Sequence, residues 1–420
     1  MLLTLHANNC LIYNSEVEFS MRANMHYKRF PNNVAEIDGT NILKTAILIG
    51  PNNSGKTNLV RTISMIKEIM LGKTYSLQAN LFSDNPIVEL SVSFLEKGQE
   101  NLFSIKYDVS KKEYVYERFA RIEYDKHKNE KTTTLLLRDS INKEFLSDDE
   151  GLIAAMKVAA RNNILIYLLD TEEFPVLKAI KEIMTSFASR IDIVNMNNIP
   201  IKKTIEMLKA SNEDHQRIAN FVVNADLYMD DYKYLSDDEL KIVWNNQNDG
   251  EAKPQENALK EAAPLMELLH LTSVYKGVQV PSVLFDSTGT KKMAALASYV
   301  LNALEEGRIL IVDELDNSLH FRLTRAIIAM FNNELNANAQ LIATVHDVSL
   351  LDCETLFRKE QIWFSHKDRD NAYLYSLADF TAEKSGVRNS NLIEKYRKGV
   401  FGALPEPELF QSLLEVTQHG

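Results

Sequence analysis

The chain has 420 residues, 45% hydrophobic and 25% charged, which predicts two or three domains of about 150 residues or one large one, and excludes bulk disorder. Its 47 basic and 58 acidic residues give a formal charge of −11, which argues against a surface that coats nucleic acid along its whole extent and leaves open only a local basic patch. No apolar run reaches the ~18–20 residues of a membrane span, and the Met-Leu-Leu-Thr-Leu start lacks the regions of a signal peptide. Two cysteines, Cys10 and Cys353, cannot build a disulfide framework, so a reducing cytoplasm is the expected location.

Residues 1–22 alternate apolar and polar as strands do, and Leu43–Ile49 reads as a buried strand. Leu59, Ile63, Ile66 and Ile69 recur at helical spacing, predicting a helix from Lys56 to about Met70. From Ile87 to Glu123 the period returns to two, predicting antiparallel hairpins. Ile164–Leu169 has strand length. Three helical faces follow: Val176, Ile180, Ile183, Met184 and Phe187; Ile201, Ile205 and Leu208; Ile218, Phe221 and Val222. Asn245–Ala263 is the most linker-like stretch. Leu268–Phe285, Ile309–Val312 and Gln340–Val345 are buried-strand candidates, with helices expected over Met293–Leu301 and Phe321–Leu335. Tyr228, Tyr232 and Tyr234, like Trp363 and Phe364, read as strand-face core.

Gly50-Pro51-Asn52-Asn53-Ser54-Gly55-Lys56-Thr57 fits G-x-x-x-x-G-K-[ST] between a strand and a helix that continues through Asn58. Glycines at these places let backbone N–H groups wrap a phosphate, Lys56 suits the β- and γ-oxygens, and the Thr57 hydroxyl suits Mg²⁺. Arg308-Ile-Leu-Ile-Val-Asp313-Glu314 is an apolar strand ending in two carboxylates. Asp313 is expected to hold Mg²⁺, and Glu314 to orient and deprotonate the attacking water. Ser287-Thr288-Gly289-Thr290 opens a helix and offers Ser287 and backbone amides to an anion. Leu315-Asp316-Asn317-Ser318-Leu319-His320 follows the carboxylates, and Thr344-Val345-His346-Asp347 ends the next strand, where His346 suits a γ-phosphate.

In this order the motifs resemble the heads of ABC-type ATPases, the class that includes structural-maintenance, break-repair and OLD-type proteins. Walker A falls at 50–57, a signature at 287–290, Walker B at 309–314, the D-loop at 315–320 and the H-loop at His346. The signature departs from the Leu-Ser-Gly-Gly-Gln of transporters, so only Ser287 and Gly289 carry over as γ-phosphate contacts from a second subunit; Asp316 joins the nucleotide-binding set through the D-loop. Phe285–Lys292, Leu356–Phe364, Tyr375–Phe380 and Tyr396–Pro405 are similar to the RloA and AbiL group of bacterial phage-defence ATPases, which includes the ATPase subunit of the PARIS system.

The resemblance spans about 1–125 and 265–410. It implies an α/β fold: an ABC-ATPase head, a mixed sheet with a P-loop core plus an antiparallel β subdomain, carrying a helical insertion. The expected division is an N-terminal lobe at 1–145, the insertion at 146–226, a return segment at 227–264 and a C-terminal lobe at 265–420. It also implies ATP and Mg²⁺, a homodimer or higher assembly sharing ATP sites, a separately encoded effector of Toprim-nuclease type, a phage protein as trigger, and no membrane.

Three alternatives stand beside it. A self-contained OLD-like nuclease would need a metal-binding Asp-x-Asp, but Asp368-Arg369-Asp370 reads as a hairpin turn between two strands. A DNA-repair or DNA-tethering ATPase would use a long coiled coil, which Pro175 and Pro200 interrupt. Its basic clusters would be Lys126-His127-Lys128 with Lys131, and Lys395–Lys398. A transporter subunit would keep the transporter signature.

Overall fold

Alternate residues of Ala46-Ile47-Leu48-Ile49 pack into two different cores, Ala46 and Leu48 into one and Ile47 and Ile49 into the other. Ile309-Leu310-Ile311-Val312 divides in the same way. A run with no polar face is what a parallel strand covered on both sides requires. These strands form the centre of the structure, a computed structural model that describes residues 1–73, 75–124, 130–225, 228–240, 267–380 and 392–404.

In chain order the strands are β1 Leu2–Asn8, β2 Val17–Ser20, β3 Val34–Ile37, β4 Thr40–Leu43, β5 Thr45–Ile49, β6 Ile87–Glu96, β7 Gln99–Asp108, β8 Glu113–Tyr124 and β9 Glu130–Asp139. They continue with β10 Glu144–Leu146, β11 Ile191–Asn195, β12 Asp231–Tyr234, β13 Leu271–Tyr275, β14 Val278–Pro281, β15 Ile309–Asp313, β16 Gln340–Val345, β17 Ile362–Lys367 and β18 Ala372–Ser376.

The central sheet runs β11-β15-β16-β5-β17-β18, parallel except for the β18 edge. Its register aligns Asn195 with Asp313 and Val345 with Ile49, so the carboxyl ends of β11, β15, β16 and β5 meet along one rim. That rim is where ligands bind in open α/β sheets. A second sheet, β10-β9-β8-β7-β6-β1-β2, is antiparallel throughout. Its inner face, including Val88, Leu90, Val92 and Phe94, joins helices Lys56–Met70 and Pro175–Ser189 in the first core. Gln340 ties the two sheets, accepting from the Leu2 N–H at 2.7 Å and donating to the Leu2 carbonyl at 3.0 Å. The fold is thus α/β, a mostly parallel central sheet packed against an antiparallel β subdomain.

Helices Lys202–Ala210 and Asn212–Ala225 and the small sheet β12-β13-β14 pack on helix Thr288–Glu306 around Ile205, Ile218, Val222 and Tyr232. Thr204 fixes that packing by donating to the Ala294 carbonyl at 3.1 Å.

Four local expectations change. The 146–226 stretch is not helical throughout: Ile191–Asn195 forms strand β11, because a short alternating run beside an apolar strand gains a full ladder of hydrogen bonds. Leu268–Phe285 is a hairpin followed by the short helix Ser282–Phe285, not one long strand. Ile164–Leu169 contains a 3₁₀ turn, Leu165–Tyr167. Tyr228 is 84% exposed, whereas Tyr232 is buried in β12 and Trp363 and Phe364 are buried in β17.

Asp368-Arg369-Asp370 lies in the turn between β17 and β18, and Pro175 opens its helix at the first turn, where proline lacks no bond. The stretches Asn245–Ala263 and Lys126–Lys128 lie outside the described residues.

Candidate nucleotide site

Between β5 and helix Lys56–Met70 the loop makes a site whose own atoms leave donors open. Gly55 caps the helix at φ +117°, a conformation that side chains rarely adopt, and no side chain caps the helix N-terminus. No acidic residue lies in its first turn either. The free N–H groups of that turn and the helix dipole therefore face the loop without a capping side chain. The Ser54 hydroxyl is buried and has no partner. Lys56 is buried, and its ammonium donates to the carbonyls of Gly50 at 2.7 Å and Pro51 at 2.8 Å. Burial pulls the Lys56 pKa down, while Asp313, Asp316 and Glu314 oppose that shift.

These residues surround a cavity of about 270 Å³ walled by Asn52, Asn53, Ser54, Gly55, Lys56, Thr57, Asn58, Arg61, Glu314 and His346. Residues from three chain regions thus meet in one site, brought there by β5, β15 and β16. The Thr57 hydroxyl donates to Asp313 Oδ2 at 3.1 Å and lies 3.3 Å from Oδ1, joining the first motif to the second. Asp313 is buried and also accepts from the Asn195 amide at 3.0 Å.

Glu314 accepts on Oε2 from Asn197 at 2.8 Å and from Asn317 at 3.0 Å. The Asn317 bond is the main cause that holds the Glu314 carboxyl below its ordinary range, helped by the Asn197 bond and by nearby His346 and Lys56. A carboxylate so stabilised keeps its charge and acts first by orienting and polarising water.

Other expected residues stand apart from the cavity. Asp316 does not wall it; its Oδ2 accepts the backbone N–H groups of His346 at 2.8 Å and Asp347 at 2.6 Å, so it anchors the turn that carries His346. Ser287 caps helix Thr288–Glu306 by accepting from the Thr290 N–H at 3.1 Å, and neither Ser287 nor Gly289 walls the cavity. Gly289 lies against the D-loop, where an added Cβ would meet the Ser318 carbonyl at 2.8 Å. Lys292, one turn on, donates to Asn317 Oδ1 and Ser318 Oγ, each at 3.1 Å.

Asn195, Asn197 and Arg61 are the site residues that motif reading passes over, and Asn317 enters it only as part of the run 315–320. Asn195 and Asn197 follow the short alternating run Ile191–Val194, which Asp192 interrupts, so it lacks the all-apolar stretch that marks Asp313-Glu314, and helical faces surround it in sequence. Arg61 shares a helix face with Thr57 and carries no motif of its own.

The open donors, the orphan Ser54 hydroxyl and the Thr57–Asp313 pair fit a nucleotide triphosphate with a divalent cation. Lys56, Ser54 and the loop amides would hold phosphates, and Thr57 and Asp313 would hold Mg²⁺. When bound, Mg²⁺ would neutralise charge on the phosphate oxygens. Among the described residues no group of three His, Cys, Asp or Glu side chains forms a metal cage.

A phosphate loop, a carboxylate-ended neighbouring strand and a histidine-ended third strand on one sheet rim define a P-loop nucleotide-binding domain. Residues 46–352 match the family described as "AAA domain, putative AbiEii toxin, Type IV TA system", and the chain belongs to that family, an ATPase family linked to abortive infection. Among solved structures it is similar to the SMC head domain from Thermotoga maritima, at 11% identity and TM-score 0.44, covering 89% of this chain and 98% of that one. It is also similar to the SMC head bound to the C-terminal winged-helix domain of ScpA, at 13% identity and TM-score 0.46, covering 91% of this chain and 99% of that one. No curated protein matches it. No helix among the described residues is long and apolar enough to cross a membrane.

Proposed function

We propose that this chain binds and hydrolyses ATP as the switch subunit of a cytoplasmic anti-phage defence system, most like AriA, the ATPase subunit of PARIS. It assembles with copies of itself through shared ATP and controls a separately encoded effector, a Toprim-type nuclease, after a phage protein triggers it. One observation carries the shared-site reading. Lys56, Glu314 and His346 wall the cavity, whereas Ser287 and Gly289 of the same chain lie outside it, so their contact with a γ-phosphate calls for a second subunit. The family's abortive-infection description supports the defence role.

In this reading Lys56 and the loop amides bind the phosphates, Glu314 orients water for in-line attack and His346 senses the γ-phosphate. Loss of that phosphate releases the second subunit's Ser287 and Gly289. Moving an assembly from 1:99 to 99:1 takes about 5.5 kcal/mol of differential binding, within reach of a few charge-assisted contacts per site.

The test joins biochemistry to phage challenge. Purified protein should turn over ATP with Mg²⁺ and gain mass by light scattering when ATP is added to Glu314→Gln. Cells carrying the gene with its neighbouring effector gene should resist phage, and Lys56→Ala should abolish that resistance. ATP turnover with no ATP-dependent assembly, or protection that survives Lys56→Ala, would overturn the switch.

A further inference from the structure

We propose that Thr344, on β16, is a positioning residue that sets both Walker B carboxylates for hydrolysis; the role rests on the ATPase reading above. Thr344 is 1% exposed. Its hydroxyl donates to Asp313 Oδ1 at 2.6 Å and accepts the Glu314 N–H at 2.7 Å. Its carbonyl accepts the Leu315 N–H at 3.0 Å. One residue of β16 therefore grips three successive residues at the end of β15.

Glu314 needs that grip because of its backbone. The ladder between β15 and β16 ends with Val312 opposite Ala343, and Glu314 then turns to φ +60°, a left-handed conformation costly for a residue with a side chain. The turn points its N–H at a side-chain acceptor, and the Thr344 oxygen is that acceptor.

The hydroxyl has a single proton. With its lone pair facing the Glu314 N–H, that proton goes to Asp313, which pins one carboxylate oxygen while Asn195 holds the other. Deleting the hydroxyl leaves a backbone N–H and a carboxylate oxygen each short of a bond, and Glu314 free to leave its strained conformation. A misplacement of about 1 Å in such a group costs on the order of a hundredfold in rate. The Thr344 hydroxyl bonds no residue of the phosphate loop and reaches it only through Asp313, which Thr57 and Asn195 still hold, so binding should persist while turnover falls.

The experiment uses the full chain carrying Thr344→Val or Thr344→Ser, with three measurements: kcat and KM for Mg²⁺–ATP, affinity for a fluorescent ATP analogue, and thermal unfolding. Thr344→Val should lose roughly tenfold or more in kcat, with affinity within about threefold of wild type. Thr344→Ser keeps the hydroxyl and should stay within about threefold in both. Thr344→Val turning over ATP like wild type, or Thr344→Ser as impaired as Thr344→Val, overturns the proposal. If Thr344→Val does not fold, Thr344→Ala removes the hydroxyl without a clash and must show the same kcat loss, with Thr344→Ser still deciding. Absence of ATPase in wild type would instead defeat the ATPase reading itself.

Discussion

The side-chain amide of Asn317 donates to Glu314 Oε2 at 3.0 Å and to Asn197 Oδ1 at 2.7 Å, so one D-loop residue holds the carboxylate and the residue beside it. Asn197 donates to the same Glu314 oxygen, which leaves Oε1 as the oxygen free to meet water. Lys292 of the signature helix holds Asn317 from the other side.

The first expectation concerns pH. The Asn317 bond lowers the Glu314 pKa, so the carboxylate persists as pH falls and its contribution is lost only on passing below the ordinary glutamate value. The acid limb of kcat should therefore lie below that value in wild type. Asn317→Ala should move the limb upward and reduce kcat about tenfold at neutral pH, read from a pH–rate profile.

The second separates binding from chemistry. Lys56→Ala removes the ammonium from the phosphate loop and should abolish binding of a fluorescent ATP analogue. Glu314→Gln keeps the shape and loses the charge; it should retain binding while kcat falls at least about a hundredfold. Hydrolysis by Glu314→Gln at the wild-type rate would remove Glu314 from the reaction.

Gly289→Ala tests the signature helix without touching the cavity. Its new Cβ would press on the Ser318 carbonyl, so helix and D-loop must shift apart. ATP binding to the single chain should be unchanged while turnover drops several-fold, compared by titration and steady-state rates.

A stability prediction comes from the second sheet. Arg138 and Glu117 are both buried and pair at 3.1 Å, with Arg138 also donating to the Ala160 and Asn163 carbonyls. Arg138→Ala strands a buried carboxylate and should cost about 3–5 kcal/mol by denaturant unfolding. Burial already pushes the Glu117 carboxyl up, and losing Arg138 pushes it further. A raised folded pKa favours the folded state at low pH and loses that stability as pH rises, so the deficit of the variant should grow from acid to neutral pH.

The sequence by itself determined the motif-bearing parts. A glycine-rich loop, an apolar strand ending in two carboxylates, and a histidine at a third strand end are local patterns whose chemistry dictates residue type and spacing. Helix Lys56–Met70 and the hairpins from Ile87 follow from periodicity alone. Tertiary structure decided what no local pattern encodes. Asn195 and Asn197 reach Walker B because β11, short and flanked by helices in sequence, gains stability by pairing beside β15. Asp316 holds the backbone of the His346 turn because the ends of β15 and β16 lie side by side. Distances between strand ends are set by sheet order, and sheet order is set by how long apolar runs bury both faces at once. That is a property of the whole chain and belongs to no segment of it.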